Sequence, residues 1–127
     1  MESQGKNFKS KNIFDSFNHA FQGMVYGFKT TKNLWVDLIA AIITVIMGFV
    51  FKITTTEWLS VIICIGLVMA LELANTAIEE AVNLAMPKIH PVAKISKDVA
   101  AGAVLFSALI SVAVGCVIFI PKIIELF

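Results

Sequence analysis

The stretch "ELANTAIEEAVN", residues 72–83, places acids and amides at the end of a segment that otherwise reads as membrane helix. With Glu72 as zero and 100° per residue, Asn75 falls at about 300°, Thr76 at about 40°, Glu79 at about 340° and Asn83 at about 20°. One helix face therefore carries them all, with Glu80 at its edge, at about 80°. An ionised carboxylate facing hydrocarbon costs several kcal/mol, so a glutamate at that depth must face the protein and find a partner or a proton. Asn75 and Thr76 on the same face also suit plain hydrogen bonds between helices. Two glutamates two turns apart on one stripe suit a chemical role better: one meets a group presented from the bilayer, the other a group arriving from water.

A second constellation follows directly. Pro87 and Pro91 should stop the helix near Ala85 or Met86, and Lys88, His90, Lys94, Lys97 and Asp98 lie within the next eleven residues. Asp98 also suits the first turn of the next helix, where a carboxylate complements the helix dipole. The lysines also suit the inner side of a membrane. The small residues Ala100 to Ala103 would let another helix approach closely, the polar stripe being a natural neighbour. Carboxylates at an aqueous surface can hold Mg²⁺ against phosphate oxygens, lysines can neutralise phosphate charge, and a deeper glutamate can take a proton from a hydroxyl. Phosphoryl transfer from a soluble nucleotide to a lipid alcohol would use every part. The Walker loop, the dinucleotide-binding glycine pattern, paired histidine zinc ligands and the G-x-S-x-G elbow do not occur in the sequence, which removes most soluble enzyme classes.

The elements that must position these residues are apolar. The chain has 127 residues, 58% hydrophobic and 15% charged, with mean hydropathy +0.87, too apolar for an ordinary soluble domain. Val99 to Ile120 is an uncharged run of 22 residues, matching the roughly 20 needed to cross about 30 Å of hydrocarbon. Leu34 to Phe51 is interrupted only by Asp37, which can sit at the interface. Trp58 opens a third apolar run, which spans if it continues through Glu72 to about Leu84. With Trp58 as outer anchor, Glu72 lies about 21 Å inward and Glu79 about 31 Å inward, at the opposite surface.

All ten basic residues are lysines. Lys6, Lys9, Lys11, Lys29 and Lys32 precede the first span and Lys88, Lys94 and Lys97 follow the second, against Lys52 and Lys122 on the other side. This asymmetry predicts a cytoplasmic N-terminus and a cytoplasmic 85–98 loop. No cleaved signal peptide is expected, since the first apolar run begins about 34 residues in and no small-residue cleavage site ends it. Phe14, Phe17, Phe21, Met24, Val25 and Phe28 fall within an arc of about 100°, the pattern of an amphipathic helix lying on the membrane or packed against the bundle. Cys64 and Cys116 sit in apolar runs without metal-ligand spacing and read as packing residues.

With these residues in hand, "ELANTAIEEAVN" (72–83), "KIHPVAKISKDVAAGAVL" (88–105) and "SFNHAFQG" (16–23) resemble the small prokaryotic diacylglycerol kinase family across nearly the whole chain. The details are most similar to its Gram-positive undecaprenol kinase branch. The resemblance implies Mg²⁺ and ATP, with Glu72 as general base for the lipid hydroxyl, Asn75 supporting the active site and Glu79 binding the metal that bridges the ATP phosphates. It likewise places Lys97 and Asp98 in the nucleotide site, beside the loop that carries Lys88 and His90. It implies a homotrimer in the bacterial plasma membrane, with active sites shared between neighbouring chains and no nucleic-acid partner. Two positions depart from the family pattern. Thr31 stands where relatives carry a second metal-binding glutamate, leaving Glu80 or another chain to compensate. His19 stands where an aromatic, often tyrosine, contacts the nucleotide.

The expected fold is an all-α membrane protein, one domain over residues 1–127. It has a surface helix over about 8–29 and spans over about 33–52, 57–85 and 92–121. The expected function is ATP-dependent phosphorylation of undecaprenol, with diacylglycerol as the alternative acceptor. A small proton-coupled carrier or a non-catalytic membrane subunit, using Glu72 as a proton site, is the reading from a different class.

Overall fold

The computed structural model describes residues 12–127, so residues 8–11 of the expected surface helix lie outside the described part. Among the described residues four helices follow one another: α1 (Ile13–Thr30), α2 (Lys32–Val50), α3 (Thr55–Ala85) and α4 (Pro91–Glu125). The last three are long and apolar enough to cross a membrane, in agreement with the three expected spans. At 1.5 Å per residue α3 is about 46 Å long, so it outreaches a hydrocarbon layer of about 30 Å.

Asn12 caps α1 by accepting a hydrogen bond from the Asp15 backbone at 2.9 Å. A single extended residue, Thr31, separates α1 from α2. The Trp35 indole donates to the Phe28 carbonyl at 2.7 Å and packs edge-on against the Phe28 ring, which fixes the angle between the two helices. Buried Gly27 faces Leu73 and the fully buried Leu34, so a Cβ there would collide with the Leu73 side chain. Phe14, Phe17 and Phe21 remain 64–79% exposed. The amphipathic stripe is thus not used up against this chain's own bundle.

α2 turns into α3 through Lys52, held in the left-handed region at φ 52°. Thr54 and Glu57 then form a reciprocal capping box, each satisfying a backbone N–H that the first turn would leave open. Here Ile53, Val61, Ile118 and Phe119 form a buried apolar cluster flanked by Trp58. Lys122 joins it by pairing with Glu57 at 2.9 Å.

One expectation is corrected in α4, the place of Asp98. The helix that carries the third span runs on through Pro121 to Glu125. The proline forgoes only its own bond to a carbonyl four residues back, a loss that membrane helices accommodate. Asp98 is not in the first turn. Pro91 opens the helix and His90 caps it, its Nδ1 accepting from the Val92 backbone at 3.1 Å. Asp98 therefore lies two turns in, paired with Lys94 at 2.6 Å.

Candidate functional site

The deeper part of the α3 polar stripe, Glu72 to Thr76, faces inward, while Glu79 and Asn83 are exposed. Glu72 is 3% exposed despite its charge, and its Oε2 has no hydrogen-bond partner. It lines a cavity of about 290 Å³ with Asn33, Asp37, Asn75 and Ala101. Asp37 Oδ2 and Asn75 Oδ1 are likewise buried without a partner. Three acceptor oxygens thus compete for donors in one small cavity, an arrangement that is costly unless a ligand supplies them.

The stripe continues toward the 86–90 turn. The Asn75 amide donates to Glu79 Oε1 at 3.4 Å, leaving the exposed Glu79 carboxylate only weakly engaged. Lys97 donates to Asn83, one turn past Glu79 on the same face, and so ties α4 to α3. Lys88, His90, Lys94, Lys97 and Asp98 line a second cavity of about 280 Å³. The two expected constellations therefore line two separate cavities, with Asn75 at one and Asn83 at the other on the same face of α3. His19, on exposed α1, does not line either of them.

Thr31 is already committed. Its hydroxyl lies 2.7 Å from that of Thr76, which in turn donates to the Glu72 carbonyl at 3.1 Å. Each hydroxyl has one hydrogen to give, so Thr31 is the donor to Thr76. The position joins the start of α2 to the Glu72 turn of α3. Glu80 faces the other way and accepts from the Tyr26 hydroxyl at 3.2 Å. That bond and the adjacent negative charge raise the Tyr26 pKa above its ordinary value. Among the described residues no group of three His, Cys, Asp or Glu converges on one point. The exposed Glu79 carboxylate is the oxygen donor that suits a hard cation such as Mg²⁺.

Asp37 is the residue that sequence reasoning left at the interface. Its signal was present in the phase of α2: Asn33, Asp37 and Thr44 share an arc of about 40°. A third cavity, about 300 Å³ and almost wholly apolar, begins at Asp37 and runs on between Thr44, Val68, Ala108 and Ser111. Asp37, Val68 and Ala108 line both this cavity and the Glu72 cavity.

A three-span helical protein with a buried carboxyl cluster between an apolar cavity and a lysine-rich surface defines a membrane protein built to work where lipid meets water. The comparisons with known proteins place it further. Residues 18–119 match the family model described as prokaryotic diacylglycerol kinase, and the chain belongs to that family. It is 40% identical over 122 residues to an undecaprenol kinase of Bacillus subtilis, covering 96% of this chain and 99% of that one. A diacylglycerol kinase of Synechocystis is 34% identical over 116 residues, 91% of this chain and 66% of the relative. A diacylglycerol kinase of Helicobacter pylori is 28% identical over 96 residues, 70% of this chain and 75% of that one.

Proposed function

We propose that this chain transfers the γ-phosphoryl group of ATP to the primary hydroxyl of undecaprenol at the membrane surface. The observation that carries the reading is Glu72: a carboxyl almost wholly buried, with one oxygen unpartnered, in a cavity continuous with an apolar one. A lipid hydroxyl brought there has its proton acceptor in place, and Glu72 takes that proton as the oxygen attacks phosphorus. The Asn75 amide reaches Glu79 one turn further on in a long, weak contact. Glu79 is the carboxylate that would hold Mg²⁺, and the ion would supply positive charge to the phosphates of the nucleotide. Lys88 and Lys97 receive the nucleotide's phosphates, while His90 and Asp98 shape the entrance to that cavity. Lys97 is held in place by Asn83.

The 40% identity to an undecaprenol kinase along almost the whole of both chains favours a prenol acceptor. Two relatives named diacylglycerol kinase keep diacylglycerol as the alternative. The lysine asymmetry supports a cytoplasmic N-terminus and 85–98 loop. The small size and open side of the cavities support a homotrimer in which a neighbour completes the nucleotide site. The test is phosphate transfer from labelled ATP by the purified protein with Mg²⁺ and either undecaprenol or dioleoylglycerol. Label is expected in undecaprenyl phosphate, and label in neither lipid would reject the kinase reading.

A further inference from the structure

The elbow between α1 and α2 holds one turn of α3, the turn that carries Glu72. Thr31 is the single extended residue of that elbow, and its backbone N–H closes α1 by donating to the Gly27 carbonyl at 2.8 Å. Gly27 leaves the space that the Leu73 side chain occupies. The Thr31 hydroxyl donates to Thr76 Oγ1 at 2.7 Å, and Thr76 donates in turn to the Glu72 carbonyl at 3.1 Å. Leu73 and Thr76 are three residues apart and so neighbours on the helix surface. An apolar seat at one and a polar tie at the other fix the turn in rotation as well as in height.

Rotation matters because nothing else holds the oxygen that reacts. Glu72 Oε2 has no hydrogen-bond partner, so its place is set by the backbone that carries it. Thr76 lies only about 40° from Glu72 around the helix, and a rotation that carries Thr76 off Thr31 swings Glu72 through the same angle. With side-chain atoms about 5–6 Å from the helix axis, a rotation of about 10° moves the carboxyl by about 1 Å. A misplacement of about 1 Å at a reacting group can cost on the order of 10²-fold in rate.

Building on the proposed lipid-alcohol kinase activity, we infer that Thr31 is a positioning residue for the proton acceptor: through Thr76 its hydroxyl locks the Glu72 turn of α3 in the rotation that aims the free oxygen at the lipid hydroxyl. In this role Thr31 acts on the rate of transfer and leaves the metal to Glu79.

The experiment measures kcat, the KM for ATP and for undecaprenol, the Mg²⁺ concentration for half-maximal activity and the thermal midpoint in one detergent. It compares the wild-type protein with Thr31→Val, Thr31→Ser, Thr76→Val and the double variant Thr31→Val/Thr76→Val. Thr31→Val keeps the volume and removes the donor; kcat is expected to fall about tenfold while both KM values and the Mg²⁺ requirement stay within about twofold. Thr31→Ser keeps the hydroxyl and is expected to retain kcat within about threefold. In the Thr76→Val background Thr31→Val is expected to cost nothing more, because its acceptor has gone. An unchanged kcat in Thr31→Val, or an equal loss in Thr31→Ser, overturns the inference. So does a full further loss in the double variant, since Thr31 would then not act through Thr76. A loss cured by excess Mg²⁺ makes Thr31 a metal ligand instead, and a Thr31→Val protein that unfolds where Thr31→Ser does not assigns the tie to the fold; either result also overturns it. Transfer to no lipid by the wild-type protein rejects the kinase reading itself, an outcome distinct from these.

Discussion

Replacing Glu72 by glutamine separates chemistry from stability in this protein. Glutamine keeps the size and one acceptor oxygen of glutamate but cannot take a proton at neutral pH. A positioned general base contributes about 10²- to 10⁴-fold, or roughly 3–5.5 kcal/mol of barrier, and kcat should fall by that factor. The fold should not suffer. Glu72 is buried with Oε2 unpartnered, and the cavity also holds the unpartnered oxygens of Asp37 and Asn75. The new amide N–H groups point into a set of acceptors and remove a buried carboxylate, so thermal stability in detergent should stay level or rise. The KM for ATP should hold, because Glu79 and the Lys88–Asp98 cavity are two turns away. Steady-state kinetics with undecaprenol, alongside thermal unfolding in detergent micelles, tests all three. A variant that turns over within threefold of wild type removes Glu72 from the base role. One that loses activity only because it unfolds shows that the carboxylate is structural.

Three further outcomes follow from the geometry. Glu79→Gln should raise the Mg²⁺ concentration for half-maximal activity at least tenfold, read from a metal titration at saturating ATP; an unchanged titration would place the metal elsewhere. Lys97→Met should raise the KM for ATP severalfold while the lipid KM stays constant, since Lys97 bridges Asn83 and lines the outer cavity; equal effects on both constants would contradict the separation of the two cavities. Gly27→Leu should lower the midpoint of thermal unfolding, because Leu73 and Leu34 already occupy the space its side chain needs; an unshifted midpoint would mean that α1 does not seat against α3 there.

The spans were legible because hydropathy and length alone mark a membrane helix, and the α3 stripe because a 3.6-residue period survives in an apolar background. Glu72 could be placed by counting the rise from Trp58. The errors share one physical cause: positions where a local signal has two readings. Asp98 has the chemistry of a cap, but His90 and Pro91 together start the helix earlier. Pro121 lies inside α4, because near a helix end the loss of one bond is small and Lys122 anchors that end by reaching back to Glu57 and the Ile118 carbonyl. Asp37 looked like a tolerated interfacial charge, and only the packing of α2 against α3 turned it toward Glu72. The commitment of Thr31 to Thr76 could not be read from the sequence, because it depends on two helices meeting at one level.

The apolar cluster around Ile53, Val61, Ile118 and Phe119 lies at the end of the bundle remote from Glu79 and the lysine-lined cavity. Adapting to a thicker or thinner bilayer and keeping an active site intact are therefore tasks for different halves of the same helices. In a relative built for a thicker bilayer, an added turn belongs in the half holding Glu57 and Lys122, with α2, α3 and α4 lengthening together. The rise from Glu72 to Glu79 carries no such freedom, for it sets how far apart a greasy substrate and a soluble one are held.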